Sequence, residues 1–80
     1  MEIQVLFFGI TADLVGKNSI ILLVEKKTTI KQLKYDLTKE YSSLKNINDF
    51  AIAVNEDYAE DNLMLKKGDI VAIIPPVSGG

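Results

Sequence analysis

Only one stretch of this chain carries the periodicity of a helix, and it sits between two sets of short apolar runs. Ile30, Leu33, Leu37 and Tyr41 recur at intervals of three or four, with lysines and acids between them. That is the pattern of a helix with one buried stripe. Thr29-Ile30-Lys31-Gln32 has the form of a capping box, in which the hydroxyl and the Gln32 amide each satisfy a free backbone N–H. The spacing predicts a helix over 30–41. Runs rich in β-branched and aromatic residues at 3–8, 19–24, 50–55 and 70–74 read as strands. A short helical turn over 11–15 is expected, with Thr11 as its N-cap and Gly16 ending it. Residues 42–49 read as a polar connection. Glu56-Asp57 and Lys67-Gly68-Asp69 read as turns, with Tyr58-Ala59 pairing briefly between them.

At 80 residues the chain has room for one domain. The order is strand, strand, helix, strand, short strand, strand. A single helix in so small a chain must cover one face of a mixed sheet of four or five strands. This is an α+β arrangement, the β-grasp or ubiquitin-like fold, over residues 1–80, with a flexible tail at 75–80. The crossover rule places the helix consistently on one face.

Composition removes several chemistries. The chain has no cysteine and no histidine, so thiol nucleophiles, thiolate metal sites and histidine-based general bases are excluded. It has no arginine either, and its 9 lysines are outnumbered by 11 acids. Nucleic acid is therefore not expected as a partner. No segment approaches the ~20 apolar residues of a membrane span, and the opening Met1-Glu2-Ile3-Gln4 lacks the basic start of a signal peptide. A cytoplasmic protein is expected. Asp49, Glu56, Asp57, Glu60 and Asp61 cluster in sequence but without calcium-loop spacing, and read as a solvated surface. No metal site is expected. Tyr35 and Tyr41 fall on or near the helical core stripe and read as packing.

Strand parity leaves one surplus. Ile3, Val5 and Phe7 share one face of the first strand, and Leu6 and Phe8 the other. In the last strand Val71 and Ile73 oppose Ile70 and Ile74. One helix covers one face, so Phe8 and Ile74, with Tyr58 nearby, are expected to form a partner patch. The alternative is that loops or the short strand cover them.

The chain ends Pro75-Pro76-Val77-Ser78-Gly79-Gly80. A residue before proline is held extended, and Pro-Pro makes a stiff exit from the sheet. Val77, Ser78, Gly79 and Gly80 at ~3.3 Å each reach about 13 Å, enough to enter a partner's cleft, and glycine fits a narrow channel. The group delivered is the Gly80 α-carboxylate. It is a poor acyl donor unless activated, as by adenylation on an ATP-using partner. A sulfur source would then leave a thiocarboxylate, and a lysine amine would leave an amide.

Val5-Leu6-Phe7-Phe8-Gly9, Asp13-Leu14-Val15-Gly16, Ala53-Val54-Asn55, the run from Lys67 to Ala72 and Ile74-Pro75-Pro76-Val77-Ser78-Gly79-Gly80 together resemble the small subunit of molybdopterin synthase, over the whole chain and in order. The resemblance implies a sulfur carrier with no bound cofactor and no catalysis of its own. Gly80 would be adenylated by an enzyme related to ubiquitin activation, thiocarboxylated with the help of a sulfur-donating enzyme, and inserted into the large synthase subunit. Sulfur would pass there to cyclic pyranopterin monophosphate. Two small subunits would flank a large-subunit dimer. Phe8, Tyr58 and Ile74 match contact positions. The chain departs from many relatives at Ala12, where they carry arginine. Alternatives are a sulfur carrier for thiamine synthesis, a ubiquitin-like modifier joined to lysines, and a β-grasp binding module with an inert tail.

Overall fold

A computed structural model describes residues 1–76. Of the residues 75–80 read as tail, Val77, Ser78, Gly79 and Gly80 lie outside the described residues. The alternation of apolar side chains sets the frame. Strand β1 (Glu2–Phe7) buries Ile3, Val5 and Phe7, and the final strand β5 (Ile70–Ile74) buries Val71 and Ile73. Between them run helix α1 (Ile10–Val15), β2 (Ser19–Leu23), helix α2 (Ile30–Glu40), β3 (Ala51–Val54) and β4 (Asp57–Tyr58). The strands form one mixed sheet in the order β2-β1-β5-β3-β4. β1 and β5 are parallel, with Val5 beside Val71 and Phe7 beside Ile73, and the other pairings are antiparallel. This is the expected β-grasp arrangement, with five strands.

Helix α2 lies across one face. Ile30, Leu33 and Leu37 are buried in the same cluster as Ile3, Val5, Phe7, Ile52, Val54, Val71 and Ile73. Half of the expected capping box is present: the Gln32 N–H donates to Thr29 Oγ1 at 3.2 Å, but the Gln32 amide turns to Asp36 at 2.9 Å. The N–H groups of Ile30 and Lys31 donate instead to the carbonyls of Leu63 and Asp61, each at 3.0 Å. A crossing loop thus satisfies helix donors that have no partner within the helix.

Several local expectations are corrected. The N-cap of α1 is Gly9, and Thr11 lies inside the helix. Its hydroxyl is buried and donates back to the Phe8 carbonyl, a bond that replaces any capping role. The stretch 42–49 holds two 3₁₀ turns, Ser42–Leu44 and Ile47–Asp49, which bury Leu44 and Ile47 under the helix end. The hairpin turn falls on Asn55 and Glu56, both with positive φ (50° and 75°), so Asp57 already belongs to β4. Two such residues in a two-residue loop match the right-handed twist of the strands. Tyr41 packs edge-on against Phe7, with ring centroids 6.1 Å apart. Tyr35 is exposed and lies under Lys39 Nζ at 5.1 Å, so it is not core.

Candidate docking face and tail root

The face of the sheet turned away from α2 has small residues at its centre and large ones at its rim. Register places Leu6 beside Ala72, Ala72 beside Ala53, and Ala53 beside Tyr58. Phe8 and Ile74 follow one step past the Phe7–Ile73 pair. Ala53 and Ala72 leave a shallow trough whose walls are Leu6, Phe8, Ile70, Ile74 and Tyr58. Phe8 is 48% exposed and Tyr58 79%. Among the described residues neither the loops nor β4 covers Phe8 and Tyr58, so the surface expected as a patch lies open and the alternative of cover from within the chain is not what these residues show. A contiguous exposed apolar surface of this kind is a candidate interaction site. The structure brings Phe8, Tyr58 and Ile74 to one trough, as strand parity requires.

Pro75 leaves β5 at the rim of that trough, and two residues not singled out for this role in the sequence, Gly9 and Thr11, fix this exit. Gly9 has φ 55° and ψ −134°, a conformation that side chains oppose. A Cβ on Gly9 would stand 3.0 Å from Pro75 Cγ. The buried hydroxyl of Thr11, bonded to the Phe8 carbonyl, also lies 3.4 Å from the Ile73 carbonyl. The Phe8 N–H donates to the same Ile73 carbonyl at 3.2 Å. The turn after β1 is therefore fastened to the last residues of β5. The only sequence signal for this was Gly9 itself, at the end of an apolar run.

Asn55 anchors the opposite rim. Its side chain donates to Asp69 Oδ1 at 2.9 Å and accepts from the Ile70 N–H at 3.0 Å. The buried Asp69 carboxylate also accepts from the Lys66 N–H at 2.7 Å. This ties the β3–β4 hairpin to the turn that starts β5. Of the acidic residues grouped in sequence, Asp61 pairs with Lys34 at 2.7 Å. Among the described residues no three histidine, cysteine, aspartate or glutamate side chains converge, and no helix is long and apolar enough to cross a membrane.

A mixed five-stranded sheet with one main helix across one face defines the ubiquitin-like β-grasp fold. The fold agrees with the crystal structure of SAMP1 from Haloferax volcanii at a TM-score of 0.89, with 20% identity over the whole of both chains. The family model described as "ThiS family" matches residues 5–80, and this chain belongs to that family. It is 32% identical over 81 residues to the molybdopterin synthase sulfur carrier subunit of Arabidopsis thaliana, covering all of this chain and 84% of that relative. It is also similar to a chain in the complex of subunits 1 and 2 of the molybdopterin-converting factor from Helicobacter pylori, with a TM-score of 0.72 and 29% identity over the whole of both chains.

Proposed function

We propose that this chain is the sulfur carrier of a molybdopterin synthase, a non-catalytic subunit whose cargo rides on Gly80. The observation that carries this reading is the placement of Pro75, locked against Gly9, at the rim of an exposed apolar trough, in a chain that matches its family through Gly79-Gly80. The curated relatives favour the molybdopterin route over the thiamine route.

The chemistry follows from the one reactive group available. The Gly80 carboxylate attacks the α-phosphorus of ATP on an adenylating partner, and pyrophosphate leaves. A sulfur nucleophile at the sulfide level, supplied by a sulfur-donating enzyme, displaces AMP and leaves a terminal thiocarboxylate. In the complex with the large subunit the stalk of Pro75, Pro76, Val77 and Ser78 carries that sulfur inward, and Gly79 passes a channel too narrow for a Cβ. Sulfur then moves to cyclic pyranopterin monophosphate: the thiocarboxylate sulfur displaces an oxygen substituent from a carbon of the pterin side chain, and water cleaves the resulting acyl–sulfur bond, leaving sulfur on the pterin and restoring the Gly80 carboxylate. Docking rests on Phe8, Tyr58 and Ile74. Burying one such side chain contributes about 1.5–3 kcal/mol, so the sheet face rather than the last glycine dominates assembly.

Intact-mass spectrometry tests the reading. Incubation with the activating enzyme, ATP and a sulfide source is expected to replace one oxygen by sulfur on the peptide ending at Gly80. An unmodified mass, or lysine conjugates that survive reducing agents, would overturn it.

A further inference from the structure

β2 is an edge strand, and its free side is self-complementary. Among the described residues no strand pairs beyond it. Val24 exchanges hydrogen bonds with Met1, and the Phe7 N–H donates to the Asn18 carbonyl, in the same register as Ile3–Leu22 and Val5–Ile20. In an antiparallel ladder, bonding direction alternates along the strand. The even-numbered residues therefore bond to β1, and Ser19, Ile21 and Leu23 aim their N–H and C=O groups outward. Their side chains lie on the open face, where Ile21 is 61% exposed and Leu23 77%. Native edges are usually blunted by lysine, proline or a bulge, and β2 has none of these between Ser19 and Leu23.

We infer that the β2 edge is a pairing site for the β2 edge of a second copy of this chain, antiparallel and centred on Ile21. Register selects this arrangement. With Ile21 opposite Ile21, Ser19 falls opposite Leu23, so every outward group meets an outward group. Lys17 then falls opposite Glu25, twice. Both are exposed, and among the described residues neither forms an ion pair. Centring the pair on Ile20 would set Lys17 against Leu23, and centring it on Leu22 would set Glu25 against Ser19, so neither register pairs the two charges. Slipping by one residue would oppose outward groups to inward ones and lose the ladder. The edge lies at the far end of the sheet from β4 and Tyr58, so this inference does not rest on the proposed sulfur chemistry.

The absence of cysteine makes the test clean. Ile21→Cys is expected to cross-link to itself under mild oxidation, because bonded antiparallel partners stand about 5.5 Å apart at Cα, within disulfide range. Tyr35→Cys, exposed on α2, serves as the control and is expected not to. In analytical ultracentrifugation of the full chain, Lys17→Glu and Glu25→Lys are each expected to weaken self-association by about tenfold. An equimolar mixture of the two variants is expected to form the mixed pair, in which all four charges are complementary. A monomer up to about 1 mM, cross-linking of Ile21→Cys no faster than of Tyr35→Cys, or a dimer indifferent to both charge changes would overturn the inference.

Discussion

Pro75 and Gly9 meet across the root of the tail: the proline Cγ stands 3.0 Å from where a glycine Cβ would be. Sixty-six positions apart in sequence, they join the end of β1 to the exit from β5. The contact gives the tail a fixed point of departure beside Phe8. It also makes Gly9 a residue whose missing side chain matters twice, once for its φ of 55° and once for the space it leaves.

Gly9→Ala separates those two roles. The unfavourable dihedral is expected to cost about 1–3 kcal/mol in urea unfolding. The collision with Pro75 is expected to displace the stalk and slow sulfur transfer beyond what lost stability explains. Adding Pro75→Ala removes the ring that a Cβ would strike. The double variant is expected to recover transfer while keeping the stability loss. Equal transfer by the single and double variants would show that the contact does not aim the tail.

Asn55→Ala removes a side chain that bonds both Asp69 and the Ile70 N–H, and it places alanine at a φ of 50°. A loss of about 2–3 kcal/mol is expected by chemical denaturation. Asn55→Gly tolerates the dihedral but still lacks the bonds, so it is expected to fall between alanine and the native chain.

Phe8→Asp and Tyr58→Ala test the trough. Both side chains are exposed, so circular dichroism and melting temperature are expected to change little. Affinity for the large subunit, measured by calorimetry, is expected to fall by about 2 kcal/mol or more for Phe8→Asp, as for an aromatic anchor in an interface centre. Unchanged affinity would remove the trough from the interface.

Much of this molecule was legible in its sequence because its signals are local. Ile30, Leu33 and Leu37 announce their helix, and the alternation in β1 and β5 separates the buried face from the one that carries Phe8 and Ile74. What escaped is of two kinds. Leu44 and Ile47 sit in 3₁₀ turns of three residues, too short to repeat a pattern, so a polar-looking stretch concealed two core side chains. The Thr11 hydroxyl near the Ile73 carbonyl and the Asn55–Asp69 bond are contacts between distant positions, and one sequence carries no trace of such pairs. Tyr35 was misplaced because it lies just off the apolar stripe, where helical spacing alone does not decide between packing and exposure.

The most direct test uses the large subunit, cyclic pyranopterin monophosphate and the activation system, with the full chain compared with a chain ending at Gly79. Both are expected to assemble with the large subunit to the same extent, while only the full chain converts the pterin to its dithiolene. Undiminished conversion by the shortened chain would contradict the assignment of the sulfur to Gly80.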